Sequence, residues 1–251
     1  MGVPLRRDKY RKYKILKNSG LLSQHVPQTG KLSKSSFYSY LGKYGDIILK
    51  PLEGGRGFGV IRVSAPSKDR SAYELHHENE KKSIKGKDKL YSKVQKIAGS
   101  RSYMVQRRIP LATINGRMFD LRVIVQRLSK SKPWKVTGKA VKVAGEGYIV
   151  TNIERSKGTV LQLKGALRKS SLNDKSVSSL VSNVEKVALS AASRLCKYLT
   201  KQRIFGFDMG LDENGKVWII EANANPMLTH FKQLKNQTMY KRIIYYKKNA
   251  Q

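Results

Sequence analysis

The dipeptide Asn214-Gly215, inside "FGFDMGLDENGKVWIIEANANP" (residues 205–226), constrains this chain more than any other feature. Asn-Gly between apolar runs predicts a tight hairpin, because a type I′ turn needs positive φ at both central residues. A two-residue loop sets Glu213 across from Lys216 and, further along the ladder, Asp208 across from Glu221. Asn223 lies two residues beyond Glu221 and shares its face. Phe207, Met209, Leu211, Trp218, Ile220 and Ala222 take the other face, which reads as a packing face. Lengthening the loop by two residues keeps the three polar side chains together; an odd change separates them.

Two carboxylates opposed on paired strands repel unless a cation lies between them. Three oxygen-bearing side chains on one face suit a hard cation such as Mg²⁺. The alternative is two acids satisfied by nearby lysines, and the charge balance gives it weight. Lys and Arg total 51 against 17 Asp and Glu, a formal net charge of +34. Such a field attracts polyanions: nucleic acid, anionic polymer, acidic peptide or nucleotide. The basic residues are dispersed, with denser groups at 6–17, 81–96, 127–142 and 232–248, and no nucleic-acid motif is present. The one cysteine, Cys196, excludes an intramolecular disulfide framework and any multi-cysteine zinc site. No apolar run reaches the roughly 18 residues of a membrane span. The basic N-terminus lacks the apolar stretch of a signal peptide, so the chain reads as intracellular and soluble.

The rest of the chain reads as α+β with mainly antiparallel strands. A basic helical arm occupies residues 1–20, and a short helix is expected around 36–43. "DIILK" and "VIRVS" read as strands, residues 67–100 as a strand, a loop and a helix, and "SYMVQRRI" as a strand. "FDLRVIVQRL" and "WKVTGKAVKVA" follow as long strands joined by a turn at "SKSKP". Apolar residues at helical spacing over 175–203 predict the longest helix, N-capped by Asn173 or Asp174. A basic helical tail ends the chain. The adjacent His76 and His77 read as surface residues, Cys196 as helix packing, and Trp134 and Trp218 as sheet packing.

Two further motifs carry chemistry. Gly54, Gly55, Gly57 and Gly59 join two strands, so this is neither a P-loop nor a dinucleotide fingerprint, each of which leads into a helix. Glycines let the backbone approach a ligand and aim N–H groups at an anion, and Lys50 just upstream can reach the same anion. The loop is either a flap over phosphates or a mobile loop without a ligand. Asp120 and Arg122 share one face of a strand, either to hold ribose and phosphate or as a structural ion pair.

In this order the motifs resemble the ATP-grasp superfamily. The segments "KYGDIILKPLEGGRGFGVIRV", "YMVQRRIPLATINGRMFDLRVIVQR", "WKVTGKAVKVAGEGYIVTNIERSKG" and the hairpin resemble those of YheC/YheD-like endospore coat-associated ATP-grasp proteins. The resemblance implies two α+β lobes clamping ATP, residues 21–102 forming the first, with the glycine loop, and 103–251 the second, with the metal site. Lys50 would contact the α/β-phosphates, and Gly54, Gly55, Gly57 and Gly59 would close over the triphosphate. Val105, Gln106 and Ile109 would belong to the adenine hinge, and Asp120 would face the ribose. Asp208, Glu221 and Asn223 would hold Mg²⁺, as two ions, with Mn²⁺ as a substitute. Arg122 would stabilise the transferring phosphoryl group, and Asn152 and Arg155 match a loop that contacts nucleotide or substrate. Some ATP-grasp ligases carry a catalytic arginine two residues before the metal-binding aspartate; here that position is Gly206, which leaves Arg122 or Arg155 for the role. Set against the resemblance, the residues before the first ATP-grasp strand read as too few for the usual separate N-terminal substrate domain, and the expectation is that the substrate would be gripped by the core, by the basic arm or by another protein.

The activity so implied is ATP- and Mg²⁺-dependent ligation of a carboxylate to an amine or thiol through an acyl-phosphate. The charge favours an anionic donor such as an acidic peptide or polymer, and the setting would be cytoplasmic with spore association. The competing readings are a non-catalytic nucleotide-binding coat component and a nucleic-acid- or polyanion-binding protein.

Overall fold

The computed structural model describes residues 3–55, 57–65, 72–148, 151 and 153–251, without the side chains of residues 154 and 155. The first half runs α1 (Lys9–Lys17), β1 (Thr29–Lys31), α2 (Lys34–Tyr44), β2 (Asp46–Pro51), β3 (Ile61–Ser64), β4 (Ala72–His77), β5 (Glu80–Lys85), α3 (Lys87–Ala98) and β6 (Tyr103–Arg107). The second half runs β7 (Thr113–Ile114), β8 (Arg117–Gln126), β9 (Lys135–Val143), α4 (Ile153–Ser156), β10 (Thr159–Gln162), α5 (Leu163–Arg168), α6 (Val177–Cys196), β11 (Ile204–Leu211), β12 (Val217–Asn223), α7 (Thr229–Lys232) and α8 (Thr238–Lys248).

Among the described residues two antiparallel sheets result, one ordered β1-β6-β2-β3-β4-β5 and the other β10-β9-β8-β11-β12. In the first, period-two alternation sends Leu49, Val63, Leu75 and Val105 to one face, where Phe37 and Leu41 of α2 and Leu90 and Val94 of α3 pack against them. The opposite face presents Ile48, Lys50 and Gln106 to a cleft. In the second sheet Leu121, Val123, Phe207 and Met209 pack against Leu180, Val184, Ala188 and Ala191 of α6. Phe231 and Ile243 of α7 and α8 cover Ile124 and Ala140 on its other face. The remainder of that face turns Asp120, Arg122, Lys142 and Asp208 toward the same cleft.

Several expectations need correction. The N-cap of α6 is Ser176, whose hydroxyl accepts from the Ser179 N–H. Asn173 and Asp174 are spent in preceding turns, with Asn173 N–H donating to Ser170 O and Lys175 N–H to Leu172 O. His76 is buried, at 2% exposure. The strand β5, hidden from sequence reading by its lysines, pairs with β4 and makes β4 an interior strand. The helix of the basic arm is docked: Leu16 joins the core beneath α6, and Arg194 of α6 donates to the Ile15 and Asn18 carbonyls at 3.2 Å each. A nine-residue helix is marginal alone, so this packing is what holds it. Among the described residues no helix is long and apolar enough to cross a membrane.

Candidate functional site

The hairpin reaches its expected facing by an unexpected route. Leu211 pairs with Val217, Asp212 N–H donates to Lys216 O at 3.1 Å, and the loop therefore holds three residues. Within it Gly215 alone has positive φ, at 76°, so the turn is not type I′. Asp212 Oδ1 accepts the N–H groups of Asn214 and Lys216, 3.0 Å each, which favours a turn closed by a left-handed glycine. That extra residue alone would send Glu221 to the packing face. A β-bulge compensates: Asp208 pairs with Glu221 but Met209 with Ile219, leaving Ile220 as the extra residue. Val217 and Ile219, rather than Trp218 and Ile220, therefore enter the core. Trp218 donates its indole N–H to Asp212 Oδ2 at 2.8 Å, and Ile220 lines the cleft.

The cleft between the sheets has a volume of about 490 Å³. Arg122 lies opposite Asp208 on the adjacent strand β8 and grips it as a fork, Nε to Oδ1 at 3.0 Å and Nη2 to Oδ2 at 3.1 Å. Lys142 Nζ adds a bond to Oδ1 at 3.0 Å and Asn223 Nδ2 one to Oδ2 at 3.3 Å. Burial pushes the Asp208 carboxyl up, but Arg122 and Lys142 outweigh it and hold the group well below the usual carboxylate range. Lys142 also lies 2.9 Å from Asp120, which accepts from the Thr151 hydroxyl. Burial raises the Asp120 carboxyl, with Lys142 opposing and Asp208 reinforcing the rise.

Glu221 is held more loosely. Its side chain is 23% exposed, and Lys9 Nζ of α1 lies 3.6 Å from Oε2. On the facing sheet Lys50 Nζ donates to Gln106 Oε1 at 2.8 Å, and Gln106 Nε2 donates to Thr29 Oγ1 at 2.8 Å. Burial brings Lys50 down to about 8, with Glu221 offsetting part of the fall. His230 lines the same cleft; burial, then Lys142 and Arg122, lower it to about 4, so its imidazole is neutral at neutral pH.

The cleft thus gathers Lys50, Gly55, Gly57, Gln106, Ile109, Asp120, Arg122, Asp208, Glu221 and Asn223. Gly54 has φ of 95° in the same loop without lining the cleft. Gly59 serves packing: a Cβ there would lie 2.7 Å from the Tyr103 hydroxyl, which donates to the Gly59 carbonyl. Val105 is not brought to the cleft, since its side chain is fully buried in the first core. Asn152 lies outside the described residues, as does the side chain of Arg155, whose backbone belongs to α4. At Gly206 a Cβ would sit 2.3 Å from Pro226 Cβ, so no side chain fits and the guanidinium beside Asp208 comes from Arg122.

Sequence reading missed Lys142, Lys9, Thr151 and His230. Lys142 had a local signal, a lysine within the apolar stretch "AVKVA", but its place opposite Asp120 required the β8–β9 register. Lys9 had no signal beyond a basic helix.

The family model described as YheC/D like ATP-grasp matches residues 4–249. Among curated proteins the chain is similar to the endospore coat-associated protein YheD of Bacillus subtilis (strain 168), at 28% identity over 196 residues, 74% of this chain and 40% of YheD. It is also similar to the endospore coat-associated protein YheC of the same organism, at 24% identity over 236 residues, 90% of this chain and 60% of YheC. The chain therefore spans less than two thirds of the length of either relative.

Proposed function

Because the chain belongs to the YheC/D-like ATP-grasp family, we propose that it binds ATP with Mg²⁺ in the cleft between its sheets and uses it to activate a carboxylate. The observation that carries this reading is the convergence of Lys50, Arg122 and Lys142 with Asp208, Glu221 and Asn223 in one cleft. Its volume falls within the roughly 300–1,000 Å³ typical of cofactor sites.

The donor chemistry fits Mg²⁺: carboxylate and amide oxygens on one face of a strand pair, facing the cleft. Glu221 and Asn223 would be the principal ligands, because Arg122 and Lys142 already engage Asp208. When bound, the ion neutralises phosphate charge as a Lewis acid. Lys50 holds phosphate oxygens as a point charge, and Arg122 and Lys142 balance the charge on the transferring phosphoryl group. A substrate carboxylate oxygen attacks the γ-phosphorus, ADP leaves, and an acyl-phosphate forms. An amine or thiol then attacks its carbonyl carbon and releases inorganic phosphate.

Arg107 adds positive charge to the lining, beside Arg108, which is paired with Asp46; this charge supports an anionic carboxylate donor such as an acidic peptide or polymer. The names of the two relatives, both endospore coat-associated proteins, support association with the spore. The test is Mg²⁺-dependent ADP release in the presence of candidate acidic peptides, with Glu221→Gln as control. Release that Glu221→Gln abolishes upholds the ligase; release unaffected by it refutes the assignment of the site.

A non-catalytic nucleotide-binding role is the second reading. It is favoured by the pairing of Asp208 with Arg122 and Lys142, and of Glu221 with Lys9, which neutralises both acids without a metal. Saturable ATP binding with no ADP release under any donor supports it.

A further inference from the structure

The cleft contains a lysine that the ligase reading leaves without a role. Lys9 opens α1, its side chain is 11% exposed, and its Nζ lies 3.6 Å from Glu221 Oε2. Two other lysines act on the same carboxylate, and each has its own partner: Lys12 donates to Arg6 O at 3.1 Å and Lys50 to Gln106 Oε1 at 2.8 Å. The Lys9 ammonium is held to Glu221 by one long contact, against the four contacts that Arg122, Lys142 and Asn223 make to Asp208.

The backbone of Lys9 is placed just as specifically. Its N–H donates to Leu52 O at 3.5 Å, at the root of the glycine loop, and Arg7 pairs with Glu53 beside it at 3.4 Å. The far end of α1 is fixed beneath α6 through Leu16 and the Arg194 contacts. One short helix therefore rests on the second sheet, touches the glycine loop of the first, and extends an ammonium to the most accessible carboxylate of the site.

We propose that Lys9 is an internal counter-cation. It neutralises Glu221 in the ligand-free protein and competes with Mg²⁺ for that carboxylate. Once displaced, it presents its ammonium to a phosphate group bound beside the glycine loop. The inference rests on the metal-dependent reading above. Its physical basis is that a monocation at 3.6 Å and a divalent ion cannot share one carboxylate without mutual repulsion, whereas a freed lysine at the cleft wall is an anion site.

The test uses the full chain and Mn²⁺ alone, followed by calorimetry or the loss of the free-ion paramagnetic signal. Lys9→Met binds Mn²⁺ about tenfold more tightly than the parent, Lys9→Arg leaves affinity unchanged, and Lys9→Met in a Glu221→Gln background has no further effect. With Mn²⁺ present, inorganic phosphate binds several-fold more weakly to Lys9→Met; without Mn²⁺ the two proteins bind it alike. A measurement on the unsubstituted protein stands beside these: the nitrogen resonance of the Lys9 ammonium shifts when Mg²⁺ is added. Equal Mn²⁺ affinities in folded parent and Lys9→Met, with a stationary resonance, overturn the proposal. Absence of Mn²⁺ binding to either protein defeats the metal reading, and this proposal with it.

Discussion

The floor and the rim of the cleft hold their carboxylates in opposite ways. On the floor, Asp208 lies on an interior strand and is gripped by a guanidinium fork, a lysine and an amide. On the rim, Glu221 lies on the edge strand β12, nearly a quarter exposed, with one lysine at 3.6 Å. The two residues are paired neighbours, yet their surroundings differ because, among the described residues, β12 has a strand on one side only. A carboxylate held by four short contacts is costly to release, whereas one held by a single 3.6 Å contact gives up its partner to a competing ion more readily. The floor is therefore suited to fixing charge in place, and the rim to exchanging one cation for another.

The largest test of that contrast is Arg122→Met. It leaves the buried Asp208 short of its main partner and is expected to cost about 3–5 kcal/mol in a urea melt. A cost under about 1 kcal/mol would break the comparison, because the floor would then be no more committed than the rim. Next is Gly206→Ala, beside Asp208. The added methyl collides with Pro226, and a loss of about 1–3 kcal/mol is expected from overpacking. A neutral result would show that the floor can relax.

The facing wall supplies the third test. Lys50 titrates near 8, below its ordinary value, because it is buried. Its charge is present below that pH and lost above it, so ATP affinity is flat up to about pH 8 and then falls about tenfold per pH unit. The linked stability has the opposite sense. The unfolded chain keeps this proton to about 10.4, so the Lys50 contribution to stability rises between about 8 and 10.4 as the buried charge is relieved. Calorimetric titrations from pH 7 to 9.5 check the affinity, and Lys50→Met removes the dependence; a flat parent profile would exclude Lys50 from phosphate contact. The smallest effect is Glu221→Gln, expected to change stability by less than about 1 kcal/mol while abolishing the Mg²⁺ dependence of nucleotide binding. A large loss of stability there would erase the distinction between rim and floor.

Much of the site was legible because strand alternation is a local property. Asp120 and Arg122 fall on one face, and Leu121, Val123 and Val125 on the core side, as period two requires. The facing of Asp208 and Glu221 was also expected, although by a type I′ turn that does not form. A longer loop and a bulge at Ile220 offset each other, and only the assignment of Trp218 and Ile220 to the core failed. Asp212 was the available clue, since its side chain rather than Asn214 organises the loop. Val105 was placed in the hinge on resemblance, and burial beneath the helices of the first sheet removes it from the cleft.

Alternation, the glycine loop and the scarcity of acids in a chain of net charge +34 were written in the order of residues alone. They determined the longer apolar strands, the class of fold and the candidate oxygen donors, because each depends on neighbours a few residues apart, whereas the lysine-rich β5 escaped them. Which cation meets which carboxylate was decided only by tertiary structure. Lys9 and Glu221, or Lys142 and Asp208, approach each other across many intervening residues, and such pairings follow from how whole sheets and helices pack, which no local periodicity encodes.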